Sequence, residues 1–384
     1  MKKFHLPLIG RIVLAMASGI GLSYVMPLWV ARTVMTFASV FSQFLGFIIP
    51  LLIVAFVATA IADVGRGAGR MLVATALIAY AMTVGSGAMA FGVSQWSFPQ
   101  LITPGALSRE ALEGSDIAPW FTVEMPPVTG VMTALVLAFV AGLGMAHTGA
   151  ESLRRGVNEL RGIVSVTITS VIIPLLPIYI FALFMNMAMT GVVGTVLTTF
   201  VSIIAVIFAM HIVLLLLQFA IAGAVTRRNP LPLLRTMMPA YFTALGTQSS
   251  AATIPVTLAQ SVATGVRSQV AEFVIPLCAT IHMSGSALKI TACAVALMIM
   301  QGMPIDGSAV TGFVAMLAIT IIAAPGVPGG AIMASLGLLQ SMLGFSEADC
   351  GLMIALYIAM DSFGTACNVT GDGAIALIID RIFR

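Results

Sequence analysis

The sequence is short of charge. Only 8% of its 384 residues are Asp, Glu, Lys or Arg, where a soluble domain carries roughly 25%. A chain so poor in charge cannot solvate the surface of a soluble protein of this size, which excludes soluble enzymes and nucleic-acid binders. The net charge of +3 is too small to single out a partner. Cysteines are few as well. Cys278, Cys293, Cys350 and Cys367 lack metal-ligand spacing and read as small buried apolar residues. A hydrolase elbow, a P-loop, HExxH and CxxC are all missing, so nothing signals ATP-driven or catalytic chemistry, and an intramembrane enzyme finds no Ser/His/Asp or metal constellation. No small-residue cleavage pattern closes a short apolar region after Met1-Lys2-Lys3-Phe4-His5. The start therefore reads as a signal anchor rather than a cleaved leader.

What abounds is apolar sequence, at 60% of the chain and a mean hydropathy of +1.10. It runs in long blocks, not in alternating segments of about 10 residues, which excludes a membrane β-barrel. The blocks fall near 9–31, 36–62, 71–97, 128–147, 163–189, 192–224, 237–260, 270–303, 308–344 and 351–379. At ~20 residues per span they provide for roughly eight spans plus shorter pieces. Two blocks are broken in the middle, at Gly246-Thr247-Gln248-Ser249-Ser250-Ala251-Ala252-Thr253-Ile254-Pro255 and at Ala324-Pro325-Gly326-Val327-Pro328-Gly329-Gly330. A straight spanning helix does not tolerate such runs, so each block reads as two half-helices meeting at a tip. The fold class is all-α integral membrane, with eight transmembrane helices and two re-entrant helical hairpins.

Basic residues orient the chain. Lys2, Lys3, Arg11, Arg66, Arg70, Arg154, Arg155, Arg161, Arg227, Arg228, Arg235, Arg267, Arg381 and Arg384 share one side if both broken blocks are re-entrant. Arg32 and Arg109 then fall opposite, with the acids Glu110, Glu113, Asp116 and Glu124. Both termini come out cytoplasmic, in a multi-pass protein of the cytoplasmic (inner) membrane. Weak symmetry supports two halves. Ile48-Ile49-Pro50-Leu51-Leu52 recurs as Ile172-Ile173-Pro174-Leu175-Leu176, and each broken block precedes a span with a short polar signature. Paired broken segments point to the midplane site of a transporter built from inverted repeats.

Two polar stripes lie where lipid depth makes them costly. Asp361, Thr365, Asn368 and Asp372 sit at offsets 0, 4, 7 and 11, and His282, Ser286 and Lys289 at offsets 0, 4 and 7. Each set falls on one helical face, and each ionisable member costs ~2.5–3.5 kcal/mol at mid-bilayer on insertion scales. Carboxylate, amide and carbonyl oxygens around Asp372, Asn368 and 281–284 suit an alkali cation. Unpaired N–H groups at the hairpin tips suit a substrate carboxylate. Asp361 suits an ammonium; the competing interpretation is a structural ion pair between Lys289 and Asp361. Asp63 and Glu272 read as surface charges, and Asp380 with Arg381 as solvated helix-end groups.

These residues resemble a known family. Ala279-Thr280-Ile281-His282-Met283-Ser284-Gly285-Ser286 resembles A-T-I-N-M-D-G-T, and Asn368-Val369-Thr370-Gly371-Asp372 matches N-V-T-G-D of the glutamate-transporter-like dicarboxylate/amino acid:cation symporters. Thr247-Gln248-Ser249-Ser250 and Gly326-Val327-Pro328-Gly329-Gly330 resemble that family's two hairpin tips.

The resemblance implies a homotrimer in membrane lipid, binding a small-molecule substrate and no nucleic acid. It implies scaffold helices 1–2 in 1–62, a transport-domain helix 3 with an extracellular loop in 63–127, and scaffold helices 4–5 in 128–189. A transport core in 190–384 would ride as an elevator. Ser249, Ser250, Val327 and Gly329 would then line the substrate, with Thr365 and Asn368 beside it. Asp361 would hold its amino group and Ser286 would face its side chain. Asn368 and Asp372 would bind a first cation.

The sequence also departs from the family. Gly364 stands where acidic-substrate members place an Arg, and Lys289 reads as a relocated positive charge facing it. His282 and Ser284 replace Asn and Asp in a cation site whose other side Tyr80 and Thr83 would supply. The implied cation is Na+, with a proton as alternative. The function that follows is a cation-coupled symporter of a small amino acid or dicarboxylate, with a channel-like conductance as the alternative.

Overall fold

The computed structural model describes residues 8–65, 69–107, 117–322, 324 and 328–384, with the backbone only for 63–65. The tip residues Pro325, Gly326 and Val327, the first seven residues, Arg66, Arg109 and the acids Glu110, Glu113 and Asp116 lie outside the described residues, as does the side chain of Asp63. Every regular element among the described residues is helical.

The first group of helices comprises α1 (Leu8–Ser23), α2 (Leu28–Gly65), α4 (Val131–Thr148) and α5 (Glu151–Met189), with α3 (Arg70–Leu101) between α2 and α4 in the chain. α5 widens into a π turn at Ile168–Ile172, just before Pro174. A proline ring crowds the carbonyl four residues back and supplies no N–H, and a π turn relieves both without ending the helix. α1 packs on α5, and α2 on α4 and α5.

The remaining helices are α6 (Val193–Thr226), α7 (Pro230–Thr247), α8 (Ser250–Ala263), α9 (Ser268–Ile281), α10 (Ser284–Met300), α11 (Gly307–Ile322), α12 (Gly330–Leu343), α13 (Glu347–Ala359) and α14 (Asp361–Ile382). By length and composition seven stretches among the described residues can cross a membrane: Leu28–Ala62, Arg70–Leu101, Val131–Thr148, Glu151–Met189, Val193–Thr226, Ser268–Met300 and Asp361–Ile382. α1 is apolar but has only 16 residues, about 24 Å of helix. The last two stretches, α9–α10 and α14, are the most enclosed, and α3, α6, α7 and α8 pack on them.

Both broken blocks reverse direction. α7 ends on a left-handed Gln248 (φ 54°), and Ser249 starts α8 by accepting the Ala252 N–H on its hydroxyl at 3.3 Å. Side chains then come close in antiparallel order. Ser261 Oγ lies 3.9 Å from Met237 Sδ, and at the base Arg228 donates to the Thr264 carbonyl. Arg227 and Arg228 therefore lie at the same end of the pair as Arg267. The second pair behaves likewise, with Met342 of α12 3.5 Å from a Cβ placed on Gly312 of α11.

α12 also meets the first group. A Cβ on Gly337 would lie 2.7 Å from side-chain atoms of both Ile49 and Val131, so the hairpin backbone lies directly on α2 and α4. Side-chain bonds join the same neighbourhood at Glu347, whose carboxylate accepts from Gln43 Nε2 at 3.0 Å and whose carbonyl accepts from Tyr179 OH at 3.1 Å.

Asp380 departs from the sequence expectation. It is buried and accepts from Arg267 Nε at 2.6 Å and from Arg384 Nε at 3.0 Å. It clasps the chain's last turn to the start of α9 rather than solvating a helix end. Glu272 is exposed, and all four cysteines are buried and unbridged.

Candidate functional site

The site forms where the α9–α10 span breaks. Pro276 weakens α9, which ends at Ile281, and α10 starts at Ser284. His282 is therefore off the helical face shared by Ser286 and Lys289, contrary to the single stripe expected from spacing. The broken end leaves unpaired N–H groups at the start of α10. No side chain of its own segment caps them; Asn368 of α14 does. Asn368 Oδ1 accepts from Gly285 N at 2.8 Å and from Ser286 N at 3.3 Å, while Nδ2 donates to Ser286 Oγ at 3.1 Å. The helices approach closely there, for a Cβ on Gly285 would lie 2.6 Å from the Gly364 carbonyl.

Asp361 ties three segments together. Its Oδ1 accepts from Lys289 Nζ at 2.8 Å and its Oδ2 from the Gly329 N–H at 2.8 Å. Gly329 has φ 77° and precedes the N-terminus of α12, where a carboxylate is favoured by the helix dipole. Lys289 is wholly buried, with Nζ 3.4 Å above the centre of the Tyr357 ring. It also fills the space beside Gly364, where a Cβ would lie 2.8 Å from Nζ. The ion pair weighed in the sequence is thus present, and both oxygens of Asp361 are engaged by groups of this chain.

A cavity of about 40 Å³ lies beside this pair, walled by Ser250, Ser286, Asp361, Thr365 and Asn368 together with Gln248, Ala279, Met283, Ala331 and Tyr357. That is room for about three waters. Tyr357 OH and Ser286 Oγ share a hydrogen bond at 3.1 Å. Of the expected substrate residues, Ser249 is used as the α8 cap, Lys289 and Gly329 sit behind Asp361, and Val327 lies outside the described residues.

Asp372, only 1% exposed, lies deeper on α14. Its Oδ1 accepts from His282 Nδ1 at 2.9 Å. Ser284 Oγ accepts from Gln218 Nε2 at 2.9 Å, and its carbonyl accepts from Ser86 Oγ at 2.8 Å. Ser86 Oγ also donates to the Thr83 carbonyl at 2.7 Å. Tyr80 OH donates to the Ala315 carbonyl at 3.4 Å and Thr83 Oγ1 to the Ala79 carbonyl at 2.8 Å.

Sequence reasoning missed Tyr357, Ser86, Gln218 and His211, whose Nε2 donates to the Gly285 carbonyl at 3.1 Å. His211 and Gln218 stand seven residues apart in an apolar block, a helical-face spacing that made them detectable.

A buried polar pocket beside two helical hairpins, inside a multi-pass apolar bundle, is the architecture of a membrane transporter. Comparison with known proteins makes the class specific. The model of the sodium:dicarboxylate symporter family matches residues 8–382, and the chain belongs to that family. It is similar to the serine/threonine transporter SstT of Acinetobacter baumannii, 27% identical over 98% of this chain and 97% of the relative. It is also similar to the human excitatory amino acid transporter 2, 32% identical over 163 residues, covering 42% of this chain and 28% of the relative.

The family's description names sodium, and the oxygens here fit it poorly. Asn368 Oδ1, Asp372 Oδ1 and Ser284 Oγ already accept from donors of this chain. An alkali ion is held by oxygens turned toward it and would compete with these donors; Gln218 Oε1 and His282 Nε2 are buried there with no hydrogen-bond partner among the described residues.

Proposed function

We propose that the chain is a secondary active symporter that carries a small amino acid or dicarboxylate inward with a cation. The observation that supports this most is the single cavity where the first hairpin tip, the broken span and α14 meet, closed by the second hairpin through Gly329 and Asp361. Ser250, Ser286, Thr365, Asn368 and Tyr357 present hydroxyl and amide groups to a solute. Asp361 exchanges its bond to Gly329 for one to the solute when the latch opens. Lys289 acts on the solute through Asp361, as half of an ion pair and a point charge beside Gly364 rather than a guanidinium fork.

In this reading there are eight spans, with α1 the first, and two re-entrant hairpins, α7–α8 and α11–α12. Residues 1–62 and 128–189 form the scaffold of a homotrimer in the cytoplasmic membrane, with both termini in the cytoplasm. Residues 63–127 and 190–384 form the moving elevator. The family description favours sodium as the driving ion; the engaged oxygens favour the alternative, a proton.

Reconstitution in liposomes tests the proposal, using labelled amino acids and dicarboxylates under separate sodium and pH gradients. Saturable uptake against a solute gradient, driven by one of them, is expected. A non-saturating ohmic current without accumulation would replace the symporter by a channel.

A further inference from the structure

The two buried acids of α14 share one device. Each is joined to a basic side chain from the broken span, and each has a nearby glycine on α14 that makes room for that side chain. For Asp361 the base is Lys289, 2.8 Å away, and the glycine is Gly364, where a Cβ would lie 2.8 Å from Nζ. For Asp372 the base is His282, 2.9 Å away, and the glycine is Gly371. There a Cβ would lie 2.7 Å from His282 Cε1 and 2.5 Å from Gln218 Oε1. All four polar side chains are buried.

A carboxylate at this depth is tolerated only with an opposite charge or donors beside it. A mobile cation is one way to meet that need, and a tethered base is another. The tethered base is always present at high effective concentration and does not dissociate when the external ion is withdrawn. A sodium ion reaching Asp361 would have to evict the Lys289 ammonium and leave it buried without a partner. One reaching Asp372 would have to break the His282 bond, while Ser284 faces the Gln218 amide instead of offering a second carboxylate.

We infer that His282 is a tethered replacement for a coupling cation at Asp372, while Lys289 neutralises Asp361 until solute arrives, and that this carrier binds its solute without sodium. The inference rests on the transporter reading above and narrows its choice of ion.

The test uses the purified full-length protein, melted in sodium chloride and in choline chloride at equal ionic strength. The two melting points are expected to agree within about 1 °C. A sodium-specific rise of about 3 °C or more, the signature of a bound ion, overturns the inference. His282→Asn uncovers Asp372 and is expected to gain the sodium-specific rise that the parent lacks. A folded variant that stays indifferent to sodium overturns the replacement. If the variant does not fold, the parent's melts decide. Solute counterflow in liposomes with choline in place of sodium on both sides gives a second readout. Equal rates support the inference, and a requirement for sodium overturns it. A protein that moves no solute refutes the transporter reading, and the melting comparison still decides this one.

Discussion

Lys289→Met keeps the length of the side chain against Tyr357 and Gly364 and removes its charge. Asp361 then stays buried with the Gly329 N–H on one oxygen and nothing to balance its charge. At the observed 2.8 Å, an effective dielectric of about 20 gives a gross attraction of about 6 kcal/mol. The net cost of removing one partner of a buried pair is smaller, roughly 3–5 kcal/mol, because the intact pair had already lost its hydration. Asp361→Asn strands the ammonium instead and is expected to cost a similar amount. The double variant strands neither charge. Its loss is expected to be smaller than the sum of the singles by at least about 2 kcal/mol, within the range measured for contacting residues. Denaturant unfolding of the purified protein in detergent, run on the parent and the three variants, measures the cycle. Single losses below about 1 kcal/mol, or additivity within about 0.5 kcal/mol, would refute an ion pair that neutralises the pocket.

Tyr357→Phe removes the hydroxyl shared with Ser286 at the cavity wall. It is expected to raise KM for the solute about fivefold, the equivalent of ~1 kcal/mol for one hydrogen bond, as read from the concentration dependence of uptake; an unchanged KM would remove Tyr357 from the solute's surroundings. Gly371→Ala drives a methyl group into Gln218 and His282 and is expected to destabilise the protein by roughly 1–3 kcal/mol, with an unaltered unfolding curve as the contrary result. The four cysteines are expected to resist a maleimide in the native protein and to react after denaturation, since all are buried; labelling before unfolding would place that helix differently.

The apolar blocks, the two interruptions and the polar stripe on α14 were legible because each rests on a local rule. Lipid depth demands length and apolarity, proline and glycine demand a break, and the 3.6-residue period gathers Asp361, Thr365, Asn368 and Asp372. What those side chains bond to was legible only in part. The stripe of His282, Ser286 and Lys289 obeys the same period, yet the helix stops between its first two members, and the backbone rotation there sends His282 to Asp372. The Lys289–Asp361 pair was legible only as a rival to a substrate amine, because its members lie 72 residues apart, a distance no local pattern spans. Gln218 was detectable by spacing from His211, but its role depends on Gly371 being too small to keep it out. Asp380 reads as a helix-end charge by sequence position alone. Its burial follows from Arg267, which the reversal of α7–α8 brings back to the same end.

If the proposed elevator holds, the contact at Gly337 bears on how the hairpin travels. Aliphatic groups of Ile49 and Val131 rest on a bare stretch of peptide, with no directional bond to be broken as they slide. The side-chain bonds holding α2 and α5 to α13 gather at Glu347, from Gln43 and Tyr179. The seam is then a greased rail with one catch. Displacement would release the catch early and exchange one set of aliphatic neighbours for another, so the resting position is fixed at a point rather than along the whole face.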